Sequence, residues 1–255
     1  MSKKPILNTT NPVGEICKTI HNMSHRHNIW DVWCDFLHLS ATSIANAVDK
    51  RQDVWRQRED AYLRTAGKYT ADELDTFAQL FALTTEALNE PADVLGQAYM
   101  QLELGNKWAG QFFTPGSVCK LMADMLYGDD IADKASRRGF VTVMEPACGG
   151  GAMLIGMAAA MEKRGINYQQ TMHVTAVDID IKAVQMCYIQ LSLLGIPAVV
   201  IHGNPLTMEE WAHWYTPFHI LNGWNYRLKN QTYPEPAIIL QPGKVFAPGD
   251  QIQLF

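Results

Sequence analysis

The sequence predicts an α/β protein in three parts: a helical bundle over residues 1–105, a parallel sheet with flanking helices over 106–230, and an extended tail over 231–255. Three observations carry this. Before Gly105, apolar residues recur at three- and four-residue spacing, without strand-like alternation of any length. From Asn106 the pattern reads helix, strand, helix, strand, helix, strand, the order that builds a parallel sheet covered by helices. Beyond Trp224 the periodicity fades, and Pro234, Pro236, Pro242 and Pro248 with neighbouring glycines mark an extended segment.

In the first part, Trp30, Trp33, Cys34, Leu37, Ala41 and Ile44 form one core-facing stripe. Asp53 to Ala66 is more charged and reads as an exposed helix. Thr70, with Glu73 three residues later, opens the next helix as a capping box; this helix carries Leu74, Phe77, Leu80, Phe81 and Leu88 and stops before Pro91. Asp93 caps a further helix through Leu104. In the second part, Phe140 to Met144 is a strand ending at Glu145-Pro146, and Gly151 to Lys163 a helix. His173 to Val177 is a second strand ending at Asp178, Asp180 to Leu194 a helix, and Ala198 to His202 a third strand ending at Gly203. Sheets of this kind bind ligands at the carboxyl ends of their strands.

Composition excludes several classes. Of 255 residues, 21 are basic, 26 acidic and 47% hydrophobic, for a net charge of −5. That is globular composition, not collagen-like, disordered or a disulfide scaffold. The longest apolar stretch, Gly151 to Met161, is too short to span a bilayer, and MSKKPILNTT lacks the apolar run of a signal peptide. Cys17, Cys34, Cys119, Cys148 and Cys187 are odd in number and never in CxxC spacing, which points to a reducing cytoplasm. A protein that grips DNA alone usually shows a basic face, so work on DNA here calls for locally concentrated cations or another subunit.

The strongest motif is Glu145-Pro146-Ala147-Cys148-Gly149-Gly150-Gly151, between a strand and a helix. Glycines there let a ligand approach the backbone and leave the helix N-terminus open to a negative group. The run is not GxGxxG, so a dinucleotide is not indicated. Asp178 ends the next strand, where nucleotide-binding sheets place a ribose-binding carboxylate, while Asp180 reads as a helix cap. Together the two signals favour a nucleoside cofactor. Upstream, Gly110-Gln111-Phe112-Phe113-Thr114-Pro115 reads either as a helix start, with Thr114 as N-cap and Pro115 first in the helix, or as a loop that closes over the cofactor.

The order GQFFTP, EPACGGGAMLI, AVDID, HGNPL resembles the amino-group DNA methyltransferases, and most of all the modification subunit of type I restriction-modification systems. The preceding Asp93-Val94-Leu95-Gly96 fits the same pattern, so the likeness covers roughly residues 93 to 206. The resemblance implies a Rossmann-like S-adenosylmethionine-dependent methyltransferase domain. It implies Phe113, Thr114 and Pro115 at the methionine part of the cofactor, and Glu145, Ala147, Gly149 and Gly151 along the glycine loop. It also implies Asp178 on the ribose, Ile179 against the adenine, and Asn204 where the family has Gly-Asp or Gly-Asn after the third strand. The family usually has aspartate in place of Glu145 and serine in place of Gly150.

Methylation of adenine N6 is demanding because the amine lone pair is delocalised into the ring. The family meets this with an Asn/Asp-Pro-Pro-Tyr/Phe loop whose amide and carbonyl accept the amine hydrogens and whose ring stacks on a flipped base. No such tetrapeptide occurs in this chain. The segment matching the family's next strand and loop is His219-Ile220-Leu221-Asn222-Gly223-Trp224. Either Asn222 supplies the amide and Trp224 the stacking ring, or Asn222-Gly223 is a turn and Trp224 is core. With no target-recognition domain evident, the sequence reads as a truncated or degenerate relative of the kind carried by mobile elements.

Three further groups stand out. Cys17, His21 and His25 share a helical spacing, with His27 nearby, but lack a second ligand pair, and no metal is expected. Lys50, Arg51, Arg56, Arg58, Arg64 and Lys68, interleaved with Asp53, Glu59 and Asp60, read as a solvated, salt-bridged face, with a phosphate-contacting patch as the rival. The terminal Gln251-Ile252-Gln253-Leu254-Phe255 resembles the bacterial sliding-clamp-binding peptide, in which Gln251 makes polar contacts and Leu254 and Phe255 fill an apolar pocket; the alternative is a tail folded onto its own domain. Two functions follow: an adenine-N6 DNA methyltransferase with a partner for sequence recognition, or a catalytically inactive methyltransferase-fold protein that binds DNA, a clamp or a restriction complex.

Overall fold

The computed structural model describes residues 11–104 and 139–230. Five helices come first: α1 (Pro12–Met23), α2 (Ile29–Val48), α3 (Gln52–Ala66), α4 (Ala71–Ala87) and α5 (Val94–Gln101). Each start but that of α3 has a side-chain cap: Asn11 accepts from Gly14 N, Asn28 from Trp30 N and Asp93 from Gly96 N. The Thr70–Glu73 capping box is complete, with Thr70 N donating to Glu73 at 2.8 Å and Glu73 N to Thr70 at 3.4 Å. Such caps satisfy amides that have no partner inside the helix.

After Gly139 come β1 (Val141–Glu145), α6 (Ala152–Lys163), α7 (Tyr168–Thr171), β2 (Met172–Asp178), α8 (Ile181–Leu193), β3 (Ala198–Asn204), β4 (Glu209–Tyr215), α9 (Pro217–Leu221) and α10 (Trp224–Lys229). The sheet order is β1-β2-β3-β4. β1, β2 and β3 run parallel, and β4 returns antiparallel beside β3 with a bulge at His202/Gly203. Gly203 is required there, because an added Cβ would lie 2.3 Å from Glu209 O.

The stripe expected on α2 is wider than the spacing suggested. Trp33, Leu37 and Ala41 are buried, but so are Val32, Phe36, Leu39 and Ala45. The reason is position: α2 packs on α1 and α3 and also on α8, which belongs to the sheet. One apolar cluster therefore runs from Ile16 through Trp33 and Leu95 to Met172 and Trp214.

The basic stretch is largely the solvated, salt-bridged face expected, with Lys50, Arg51, Arg56, Arg64 and Lys68 exposed; Arg58 is the exception. Arg58 is buried, donating to Asp49 at 2.9 Å and to His213 O of β4 at 3.1 Å, with its guanidinium 4.8 Å from the Trp214 ring. Arg51 also binds Asp49, through two side-chain bonds. Burial works against the Asp49 charge, yet these bonds hold its carboxyl down at about 2. The partners are Asp49 and, for Lys68, Asp35, rather than the interleaved acids.

Two elements depart from the sequence expectation. β4 was not anticipated, because Glu-Glu-Trp-Ala-His-Trp-Tyr places charged and aromatic residues on a half-exposed edge. His219–Leu221, matched to a strand, is part of helix α9. Pro217 sits in the first turn of α9 and Thr216 precedes it, with the Thr216 hydroxyl fixed between Ile196 O and Ala198 N.

Candidate cofactor site

The residues from Pro146 to Gly151 turn the chain from β1 into α6. Cys148 N donates to Val177 O at 2.9 Å and Gly151 N to Cys148 O at 2.8 Å, which stitches the turn to β2 and closes it. Gly149 (φ 53°) and Gly151 (φ 91°) take left-handed backbone that other residues adopt only with strain. A Cβ on Gly151 would also come 3.0 Å from Cys187 Sγ. The first turn of α6 has no side-chain cap, so its amides remain available at the positive end of the helix dipole.

Two carboxylates frame this turn. Asp178, at the end of β2, accepts from Gly149 N and from Asp180 N, both at 2.9 Å. Burial raises its pKa and these two bonds oppose the rise. A carboxylate has about four acceptor sites, so it can still receive a ligand's hydroxyls. Glu145, at the end of β1, is 1% exposed. Its Oε1 accepts weakly from Ala147 N at 3.4 Å, and its Oε2 is buried with no partner among the described residues. Burial pushes the Glu145 carboxyl up to about 8; the Ala147 amide opposes this and the Asp178 charge adds to it.

Beside Asp178 lies an exposed apolar rim. Ile179 is 60% and Leu206 93% exposed. His202 reaches Ile179 O at 3.2 Å and meets the Trp211 ring edge-on at 4.8 Å. Asn204 accepts from Leu206 N (3.0 Å) and Thr207 N (3.4 Å), shaping the turn between β3 and β4.

Glu145, Ala147, Gly149, Gly151 and Asp178 are thus brought together, with Ile179 and Asn204 at the ends of the adjoining strands. Phe113, Thr114 and Pro115 lie outside the described residues, as do Gln251, Leu254 and Phe255. Asn222 is not brought to this site: it is the exposed C-cap of α9. Trp224 is fully buried, 4.9 Å from the Phe140 ring and 5.1 Å from that of His173, with Arg227 3.8 Å above it. His173 lies near the amino end of β2, roughly 16 Å of strand from Asp178. The core reading of Trp224 holds, and it is no stacking platform for a base.

The Cys17 group does not converge. Burial pushes the Cys17 thiol up to about 11, with Sγ 3.7 Å from Ala98 O, while His21 and His25 are exposed and His27 binds Glu73 at 3.1 Å. Sequence reasoning missed Gln190, which bonds to the glycine loop at Gly150 O (2.8 Å). No sequence signal singles it out, because the same helix carries Lys182, Gln185 and Ser192, and Gln185 is also buried.

A parallel sheet with a glycine turn after its first strand and an acid ending its second is the framework of S-adenosylmethionine-dependent methyltransferases. The residues present fit that cofactor: an unmet buried carboxylate oxygen suits its cationic amino group, Asp178 its ribose hydroxyls, and Ile179 its apolar adenine face. The profile of the N-6 DNA methylase family matches residues 90–232, more than half of the chain, and the chain belongs to this family. S-adenosylmethionine is its cofactor. A solved structure from Listeria monocytogenes, described as a class I S-adenosylmethionine-dependent methyltransferase, is similar at TM-score 0.44 and 12% identity, covering 89% of this chain and 72% of that one. No curated protein matches.

Proposed function

We propose that this protein is an S-adenosylmethionine-binding DNA adenine-N6 methyltransferase-like protein, related to type I modification subunits and working with a partner that recognises the DNA sequence. The observation that carries this is the meeting of Glu145, the glycine turn and Asp178 at one end of the sheet, with a Glu145 oxygen left unmet. Glu145 would hold the amino group of the cofactor's methionine, Asp178 its ribose hydroxyls, and Ile179 and Asn204 the adenine side. The bound cofactor supplies an activated methyl group. The net charge of −5 favours a second subunit for the DNA backbone. A bacterial, phage or plasmid-encoded origin and a cytoplasmic setting belong to this reading.

A second reading is a catalytically inactive methyltransferase-fold protein that acts by binding DNA, the sliding clamp or a restriction-modification complex. Its support is specific: the chain has no Asn/Asp-Pro-Pro-Tyr/Phe tetrapeptide, and Asn222 caps a helix at the other end of the sheet. Calorimetric titration with S-adenosylmethionine tests the cofactor site. We expect saturable binding that Asp178→Ala abolishes; no binding by the intact protein overturns the enzyme and leaves the binding protein. Transfer of a labelled methyl group to adenine in DNA, with the partner subunit present, then separates them. Transfer supports the enzyme, and its absence despite cofactor binding supports the binding protein.

A further inference from the structure

Gln190 lies within α8, between Tyr188, Ile189 and Leu191, and is 0% exposed. A buried amide is costly unless its donors and acceptor are met. Here all are met, by segments distant in sequence. Nε2 donates to Gly150 O at 2.8 Å and to Asp93 Oδ1 at 2.9 Å, and Oε1 accepts from Leu95 N at 2.9 Å. Asp93 Oδ1 also accepts from Gly96 N at 2.9 Å. The two backbones are close, since a Cβ on Gly150 would meet Gly96 Cα at 3.8 Å.

We infer that Gln190 is a positioning residue for the cofactor: it clamps the glycine turn to the amino end of α5, and the turn keeps its binding shape only while that clamp is closed. This role rests on the cofactor binding proposed above. The clamp needs one group that donates twice and accepts once in an apolar setting, which a neutral primary amide does and an ionised carboxylate cannot. Leucine at this position would leave Gly150 O and Leu95 N unmet. Glutamate would set a negative charge against Asp93 and Gly150 O until it is protonated, after which it donates once and accepts again.

The test uses the full chain as wild type, Gln190→Leu and Gln190→Glu. S-adenosylhomocysteine affinity is measured at pH 6 and pH 8 and expressed as a ratio to wild type at the same pH, which removes the wild type's own pH trend. Amide exchange is followed in the ligand-free proteins. We expect Gln190→Leu to weaken binding about tenfold or more at both pH values, the scale of a buried unmet polar group. Gln190→Glu should be weak at pH 8 and recover toward wild type at pH 6. Exchange should quicken in Gln190→Leu at residues 149–152 and 94–97 while β2 and β3 keep their protection. Affinities within twofold of wild type for both variants, or exchange quickened equally throughout the molecule, would overturn the role. If Gln190→Leu does not fold, the pH recovery of Gln190→Glu decides alone, and its absence counts against the clamp. If wild type binds no S-adenosylhomocysteine, the cofactor reading fails, and the clamp is judged on exchange alone: local quickening upholds it and unchanged exchange rejects it.

Discussion

The two ends of the sheet are built from the same strands and have opposite characters. At the carboxyl end, Glu145 keeps an unmet buried oxygen, Asp178 retains acceptor capacity, and Ile179, Leu206 and Trp211 stay exposed. At the amino end most polar groups close on one another, although the buried Trp224 Nε1 has no partner among the described residues. His173 meets His219 at 2.9 Å, His219 meets Asn225 at 3.2 Å, and the Thr216 hydroxyl bridges Ile196 and Ala198. A surface that satisfies itself stabilises, and one that leaves hydrogen-bonding capacity over can bind. The acceptor capacity left over at the Glu145 end is what the proposed site rests on, and Asn222 stands at the other end as a helix C-cap.

The largest expected effect falls on the closed end. Trp224→Ala should destabilise the protein by about 3–5 kcal/mol, the usual cost of deleting a buried large aromatic. The variant that remains folded should bind the cofactor like wild type. A loss of affinity matching the loss of stability, read by calorimetry below the melting temperature, would break the division between the ends.

The two ends should also respond to pH with opposite slopes. Glu145 has a folded pKa of about 8 against an ordinary 4.5, so the folded state holds its proton more tightly. Its contribution to stability is full below pH 4.5 and declines as pH rises to about 8. His173 is pulled from 6.5 down to about 3 by burial, with His219 and Arg227 adding to the effect. Its contribution is full above pH 6.5 and is lost as pH falls toward 3. In chemical denaturation across this range, Glu145→Gln should remove the decline toward pH 8, and His173→Gln should flatten the acid limb. Unchanged curves in both variants would remove the electrostatic side of the comparison. Cofactor binding by wild type near neutral pH should release a proton from Glu145, seen as a buffer-dependent binding heat that Glu145→Gln lacks.

The smallest effect on the fold is expected from the terminal peptide. Removing Leu254 and Phe255 should leave stability and cofactor affinity unchanged and abolish capture by an immobilised bacterial sliding clamp. Equal capture of both proteins, or none of the intact chain, would reject the clamp proposal.

What the sequence disclosed follows from distance along the chain. The Thr70–Glu73 box and the Asp93 and Asp180 caps are three-residue and two-residue interactions, so their patterns are local. The glycine turn was equally legible, because strand, glycines and helix follow one another directly. Gln190 was hidden because its partners lie 40 and 97 residues away. β4 was hidden because its hydrogen bonds come from β3 and its first three residues, Glu209, Glu210 and Trp211, are exposed whichever face they point to. Asn222-Gly223-Trp224 fits both a catalytic loop and a turn. Only the rings of Phe140 and His173 around Trp224 decide between them.

The doubly covered helix α2 bears on how this molecule can change over generations. Because the same helix fills the bundle and seats α8, a boundary drawn at residue 105 separates motifs, not independent cores. On α2, Phe36 stacks on Phe77 of the bundle, while Trp30 and His38 meet Lys182 and Gln185 of the helix that carries Gln190. The helical half is therefore not a module to be exchanged freely, and its inheritance is bound to that of the cofactor site.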